Sequence, residues 1–159
     1  MKIGIIGPNK IDGDISERKV LIDKVARIIA DSGHEIILTP NKNSLLEYFG
    51  QRYIELSGKN VWLVVPLEED DYQTHLNVDV GDIINCHDWD RQANEFNRQC
   101  DIFVCIGYAW GAMKEIACAR YFNKKKIYVL NEFVSEKLPD ELSYLLEYIT
   151  VDDLAMVIK

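Results

Sequence analysis

The sequence predicts a doubly wound α/β domain with about five parallel strands between two layers of helices. Short apolar runs alternate with amphipathic stretches at helical spacing, and the links between them are only a few residues long. Parallel strands need crossover connections of this kind, and these are usually helices. The chain has 159 residues, of which 48% are hydrophobic and 28% charged, which suits one domain with its own core.

The first half of the chain has the order β-α-β-α-β. Gly33 follows the first helix at the point where a left-handed residue commonly ends a helix, and Pro40 and Pro66 each stop the strand before them. Strands are predicted at 2–7, 34–39 and 61–65, and helices at 15–32 and 44–56.

The second half continues the alternation after a less regular segment. Residues 67–88 are predicted as a long loop with a possible short strand at 82–84. Further strands are predicted at 101–107 and 126–130, and helices at 91–99, 110–122, 139–148 and 152–158. Thr150 and Asp153 offer a cap for the last helix.

Composition excludes several classes of function. The chain has 18 Lys and Arg against 26 Asp and Glu, a formal net charge of −8, so it lacks a general attraction for nucleic acid. It contains no apolar stretch of about 18 residues and begins with a short β-like run, so we expect neither a membrane span nor a signal peptide. The four cysteines form no CxxC pair, which indicates a reduced, cytoplasmic protein without disulfides.

The first candidate site follows the first strand. In parallel α/β sheets, ligands bind outside the carboxyl ends of the strands. Here that position holds Gly7, Pro8 and Asn9, which lead toward a helix N-terminus able to bind phosphate. A plain turn is the alternative interpretation.

The second candidate site, at 101–119, is the strongest feature in the chain. A strand ends at Gly107, Gly111 follows in the loop, and a helix then carries Glu115 after its first turn. Two glycines let backbone N–H groups approach an anion closely. Glu115 faces the pocket in this interpretation, while in the alternative it only benefits from the helix dipole.

This second stretch resembles the signature of the LOG-like (SLOG) proteins, a Rossmann-like nucleotide-binding superfamily whose members are often labelled lysine decarboxylases. Their motif is Pro-Gly-Gly-x-Gly-Thr-x-x-Glu. Gly111 and Glu115 match its last Gly and its Glu, and Ala112 stands at the Thr. Ile106 replaces the Pro, and Gly107 lies one place before the doubled Gly.

Nucleoside 2-deoxyribosyltransferases are similar in the same stretch, because their nucleophile is the Glu of Glu-Ile-Gly-x-Ala and residues 115–119 here are EIACA. The LOG resemblance extends over most of the chain. It includes residues 1–7, 57–66, 77–85 and 91–97.

The resemblance implies cleavage or transfer at the N-glycosidic bond of a nucleoside or its 5′-monophosphate. Glu115, ionised near the ordinary pKa of about 4.3, stabilises or attacks the developing cation. Arg91 holds the phosphate or orients that carboxylate, although Arg98 and a solvent-facing Arg91 remain open. Two other functions remain open: a nucleotide sensor without catalysis, and a scaffold whose site has decayed.

Aromatic and metal-binding residue types complete the candidates. Tyr108 and Trp110 flank the glycines and could stack on a base, or they could pack in a core or a dimer face. Residues 86–90 (CHDWD) are expected to line a pocket rather than hold a metal, and we expect no cofactor. The apolar residues of the helix at 110–122 predict self-association, as a homodimer or a higher homo-oligomer, and the LOG resemblance implies a dimer.

Overall fold

Seven strands and six α-helices form the regular structure of the residues that the computed structural model describes, which are 1–8, 15–122 and 125–159. The strands are β1 (Lys2–Ile6), β2 (Glu35–Leu38), β3 (Val61–Val65), β4 (Asp82–Asn85), β5 (Ile102–Cys105), β6 (Ile127–Leu130) and β7 (Leu146–Ile149). The helices are α1 (Ile15–Asp31), α2 (Leu45–Glu55), α3 (Tyr72–His75), α4 (Trp89–Gln99), α5 (Trp110–Ala119) and α6 (Leu154–Val157).

All seven strands pair in parallel in one sheet with the order β4-β3-β2-β1-β5-β6-β7. The chain builds outward from β1 to the edge strand β4, and then returns to place β5 on the other side of β1. The strand order therefore reverses between β1 and β5. In open α/β sheets a crevice forms at this switch point, outside the carboxyl ends of the strands.

Each face of the sheet has its own core, because successive side chains of a strand point to opposite faces. Ile3 and Ile5 of β1 pack on the face covered by α1, α2 and α6, and Ile6 packs on the face covered by α4 and α5. The result is the predicted three-layer α/β/α arrangement. No helix of the described residues is long and apolar enough to cross a membrane.

The predicted fold class is confirmed, but the predicted number of strands is wrong, because the sheet has seven rather than about five. The possible strand at 82–84 is the edge strand β4. The helix predicted over 139–148 is also wrong: a 3-10 turn at Asp140–Leu142 precedes β7. Pairing of β7 with β6 supplies backbone hydrogen bonds that override the helical pattern of this short, half-exposed segment.

Local signals place most helix ends correctly. Gly33 has a left-handed φ of 70°, and the Ser44 hydroxyl accepts a hydrogen bond from the Glu47 N–H at 3.1 Å, capping α2. The Thr150 hydroxyl donates to Asp153 Oδ2 at 2.6 Å, as expected, although α6 itself is shorter than predicted. Helix α1 begins at Ile15 as predicted, and residues 9–14 before it lie outside the described residues.

Candidate functional site

The switch point brings the ends of β1, β2 and β5 together. Gly107 follows β5 with a left-handed φ of 132°, and a Cβ placed on it would lie 3.1 Å from Cδ of Pro8, which follows β1. The two loops are thus in contact, and only glycine fits between them without strain. Thr39 follows β2 at the same edge and is buried. Asn9, predicted as part of this site, lies outside the described residues.

Glu115 is the buried acid of this region. It lies on the face of α5 that packs on the sheet and is only 6% exposed. The Thr39 hydroxyl donates a long hydrogen bond of 3.3 Å to Oε1. Burial raises the pKa of Glu115 to about 8, and the bond from Thr39 offsets only part of this effect.

The carboxyl group is therefore mostly protonated at neutral pH, and the expectation of an ionised Glu115 with an ordinary pKa is wrong for the protein without ligand. The physical reason is desolvation. A charged carboxylate needs several hydrogen bonds or a nearby cation to be stable when buried, and Glu115 receives one hydrogen bond from the described side chains.

Asn97 links the two helices on this face, and the sequence analysis missed it. Its side chain is fully buried, and Nδ2 donates to the backbone carbonyls of Glu115, at 3.0 Å, and of Ala93, at 2.9 Å. Its Oδ1 has no hydrogen-bond partner among the described residues. Its position on the apolar face of α4, next to Phe96, could have indicated it, because a polar side chain that is buried there must form hydrogen bonds.

The N-terminus of α5 has no side-chain cap. Ala109 occupies the N-cap position with extended backbone and has no side chain able to accept a hydrogen bond. The N–H groups at the first turn, from Trp110 to Ala112, therefore lack the side-chain partner that helices commonly provide there. Such an N-terminus suits an anion.

Tyr108, Trp110 and Ala112, the other predicted site residues near this N-terminus, differ in their exposure and contacts. Trp110 is 94% exposed, whereas Ala112 is buried in the core, so that only its backbone is available to a ligand. The Tyr108 hydroxyl lies 2.7 Å from the Tyr148 hydroxyl, which accepts a hydrogen bond from the Leu138 N–H. Burial and this contact with Tyr148 raise the pKa of Tyr108.

Arg91 does not contact Glu115 in the described structure. Its Nε lies 3.3 Å from Asp88 Oδ2, and its side chain is 64% exposed. It lines a cavity of about 510 Å³ together with Arg98, at the carboxyl end of the edge strand β4. The two alternative arginines thus share one cavity, and Glu115 is not part of its lining.

Residues 86–90 have separate local contacts. Asp88 caps α4 by accepting a hydrogen bond from the Arg91 N–H at 2.9 Å, and His87 Nδ1 lies 2.5 Å from Glu68 Oε1. The Trp89 indole donates to Asp71 at 3.0 Å, and burial raises the pKa of Cys86 to about 11. Within the described ranges, no group of three or more His, Cys, Asp and Glu side chains could hold a metal ion.

Comparisons with known proteins agree with this geometry. The family model described as LDcluster4, the SLOG cluster4 family, matches residues 1–155. The molybdenum cofactor carrier protein from Chlamydomonas reinhardtii has a similar structure, with a TM-score of 0.74 and 17% identity over 99% of this chain and 95% of that chain. No curated protein matches the sequence.

Two further solved structures share the fold. The molybdenum cofactor binding protein from Rippkaea orientalis has a TM-score of 0.78 and 17% identity over 99% of this chain and 94% of its own. The structural genomics target TM1055 has a TM-score of 0.73 and 20% identity over 99% of this chain and 97% of its own. At these identities the likeness establishes the fold, not a shared ligand.

Proposed function

The chain belongs to the SLOG cluster4 family, and on this premise we propose that it binds a nucleotide or a nucleotide-like cofactor at the ends of β1, β2 and β5. Its role in this proposal is to bind or carry the ligand rather than to cleave it. The observation that carries the proposal is the buried, mostly protonated Glu115 beneath the crevice.

A protonated carboxyl group suits recognition better than cleavage. It both donates and accepts a hydrogen bond, so it can pair with the hydroxyl groups or the base edge of a ligand. It has no charge with which to stabilise the cation that forms when an N-glycosidic bond breaks. The Thr39 hydroxyl beside it adds a second group able to donate and to accept.

The N-terminus of α5 supplies the other half of the proposed site. Its first N–H groups and the positive end of its dipole suit a phosphate, and Gly107 lets the chain turn closely beside Pro8. Two structural neighbours are a molybdenum cofactor carrier protein and a molybdenum cofactor binding protein. A small-molecule carrier on this fold therefore has precedent, which supports the proposal without identifying the ligand.

Calorimetry with a panel of nucleosides, nucleoside monophosphates and dinucleotides tests this proposal. We expect at least one phosphate-bearing compound to bind saturably and to raise Tm. Ala109→Asp places a carboxylate at the N-terminus of α5 and should weaken that binding at least about 10-fold, whereas Asp140→Ala, an exposed position on another segment, should not. No saturable binding across the panel would contradict the proposal.

Cleavage or transfer at an N-glycosidic bond is the second candidate function, as phosphoribohydrolase or as deoxyribosyltransferase. The position of Glu115 in the family motif, next to the strand ends, favours it. Catalysis would require the ligand to displace Thr39 and to ionise the carboxyl group. Released base in chromatography, with a rate that rises toward pH 8 and falls roughly 100-fold in Glu115→Gln, would establish it.

The exposed surface around α5 supports a homodimer. Trp110 (94% exposed), Tyr121 (69%) and Tyr144 (62%) present large aromatic surfaces to solvent. Tyr121 and Tyr144 line a groove of about 350 Å³ that also contains Arg120 and Glu141. A two-fold contact can pair Arg120 of one copy with Glu141 of the other, which suits two chains that both carry a net charge of −8.

Light scattering after gel filtration tests the dimer. We expect twice the chain mass of 18.3 kDa at micromolar concentration. Tyr121→Glu should give monomers, and Val20→Glu, an equally exposed apolar position on α1, should leave the dimer intact. A monomeric native protein would contradict this part of the proposal.

A further inference from the structure

Two tyrosines beside the N-terminus of α5 form a directed chain of hydrogen bonds. We infer that Tyr148 and the Leu138 N–H position the Tyr108 hydroxyl as a donor to an acceptor atom of the bound ligand. The ligand is the one proposed above for the ends of β1, β2 and β5, so this role rests on the proposed function. Tyr108 has no counterpart in the LOG motif, and Tyr148 lies outside that motif, on β7.

Packing brings the two hydroxyl groups together. Tyr108 lies between Gly107 and the N-cap residue Ala109, in the loop that joins β5 to α5. Tyr148 belongs to the edge strand β7, which β6 separates from β5. Both half-buried rings pack on the core between the sheet and α5, and their hydroxyl oxygens are 2.7 Å apart, an ordinary distance for an O–H···O hydrogen bond.

The contacts of Tyr148 give the direction of the hydrogen bond between the two hydroxyls. The Tyr148 oxygen already accepts the Leu138 N–H at 2.8 Å. Its own proton needs an acceptor, and among the described residues the Tyr108 oxygen is the one that it reaches. Tyr148 therefore donates to Tyr108. The Tyr108 proton then has no acceptor within the described part of the chain and is available to a ligand.

The surroundings of the two rings favour a donor at Tyr108. In the chain from the Leu138 N–H through Tyr148 to Tyr108, each hydrogen bond polarises the next one and so strengthens the last donor. Burial, and then the contact with Tyr148, raise the pKa of Tyr108, so its hydroxyl keeps its proton at neutral pH. The Lys137 ammonium lies 5.1 Å from the centroid of the Tyr148 ring and helps to hold that ring in place.

A neutral phenol donor selects for ligands that present an acceptor at this place. The acceptor can be a phosphate oxygen, a sugar oxygen or a ring nitrogen of a base, because each can accept the Tyr108 proton. Thr39 lies toward β2, and the Tyr108 hydroxyl lies toward β7, so polar groups flank the N-terminus of α5 on both sides. A ligand bound at this N-terminus can thus be held from two sides.

Hydroxyl exchange in the protein without ligand tests the direction of the chain. A tyrosine isotopically labelled at Cζ gives two NMR resonances in a mixture of light and heavy water when its hydroxyl exchanges slowly, and one averaged resonance when it exchanges fast. We expect two resonances for Tyr148 and one for Tyr108, assigned with Tyr108→Phe and Tyr148→Phe. Equal exchange at the two hydroxyls, or slower exchange at Tyr108, would overturn the inference.

Calorimetry with adenosine 5′-monophosphate tests the role in binding. Tyr108→Phe should raise Kd about 10-fold, and Tyr148→Phe should raise it about 5-fold. In the Tyr108→Phe background, Tyr148→Phe should change Kd less than about 2-fold, because Tyr148 acts through Tyr108. A merely structural role for Tyr148 predicts additive losses instead. Additive losses, or an unchanged Kd in Tyr108→Phe, would overturn the inference.

Tyr53→Phe is the matched control. The Tyr53 hydroxyl also accepts a backbone N–H, from Lys59 at 2.9 Å, and donates to the His34 carbonyl, but it lies on α2 and contacts no residue of the site. We expect this variant to lower Tm and to leave Kd unchanged. A rise in Kd as large as in Tyr148→Phe would show that the loss of any buried hydroxyl weakens binding, and would overturn the inference.

The same variants titrated with adenosine identify the acceptor. A loss of affinity confined to the monophosphate identifies a phosphate oxygen, and an equal loss with adenosine identifies an acceptor on the sugar or the base. If neither compound binds the native protein, the nucleotide-binding proposal fails, while hydroxyl exchange still decides the direction of the chain because it requires no ligand.

Discussion

The neighbouring helices α4 and α5 cover the same face of the sheet but distribute their polar residues in opposite ways. On α4 the outer face carries charged residues in ion pairs, such as Arg98 with Glu95, and Asp88 caps the N-terminus. On α5 the N-terminus has no side-chain cap, Trp110 at its start is 94% exposed, and the acidic Glu115 faces inward.

Stability alone accounts for most of α4 but not for α5. An amphipathic helix normally buries apolar residues and exposes charged ones, and the informative exceptions are a buried polar group or a large exposed apolar patch. Helix α5 has both exceptions within ten residues. The outer face of α4 is regular. Its one exception on the buried side is Asn97, whose Nδ2 bonds to the carbonyls of Ala93 and Glu115 give it a structural role.

The largest expected effect concerns Glu115 and pH. The folded protein holds a proton on Glu115 up to about pH 8, while the unfolded chain releases it near the ordinary value of 4.5. This contribution to stability is complete below pH 4.5 and is lost as pH rises to 8, by roughly 5 kcal/mol. Urea unfolding from pH 5 to 8 should show this loss, and Glu115→Gln should remove it.

The matched control is Glu95→Gln on the outer face of α4. Since it removes a partly exposed ion pair with Arg98, we expect it to change the free energy of unfolding by less than about 1 kcal/mol. If the free energy of unfolding depends on pH in the same way in the native protein and in Glu115→Gln, the pKa of Glu115 is not raised by folding.

The next effect concerns the hydrogen bonds between the two helices. Asn97→Ala leaves the Glu115 carbonyl without its partner from α4, and we expect a loss of about 2 kcal/mol in the free energy of unfolding. Asn94→Ala, three residues earlier on the exposed face, should change it by less than about 0.5 kcal/mol. Equal losses in urea unfolding would show that Asn97 has no special role.

The smallest effect concerns the two N-termini. Asp88→Ala removes the cap of α4 and should cost about 1 kcal/mol, whereas Ala109→Ser adds a cap to α5 and should stabilise the protein by a similar amount. A lower Tm in Asp88→Ala and a higher Tm in Ala109→Ser would support the conclusion that α4 is capped and α5 is not. If Ala109→Ser destabilises the protein, the N-terminus of α5 is not simply an uncapped helix end.

The sequence predicts the centre of the sheet much better than its edges. Lys2–Ile6 and Val61–Val65 are buried on both faces, so their apolar runs are continuous and easy to identify. The edge strand β4 is mostly exposed and β7 is half-exposed, and the apolar signal in both is weak. Pairing with the preceding strand, β3 for β4 and β6 for β7, decides their structure, and no pattern within the segments themselves encodes that pairing.

For the candidate site, the motif identifies Glu115, but its environment depends on tertiary contacts. Burial between α5 and the sheet, and a hydrogen bond from Thr39 on another strand, determine its protonation. Asn97 could be suspected only from its place on an apolar helix face. The sequence analysis leaves Arg91 and Arg98 as alternatives, yet their seven-residue spacing on one helix places both in the same cavity.

Mapping amide NMR shifts during titration with adenosine 5′-monophosphate tests the central claim, that α5 and its buried acid form a ligand site. We predict saturable shifts at the N–H groups of Trp110 and Gly111 and at Thr39, beside the Glu115 carboxyl group. These shifts should weaken in Ala109→Asp. Saturation without any shift at these three amides, or no saturable shift with any nucleotide tested, would contradict the account.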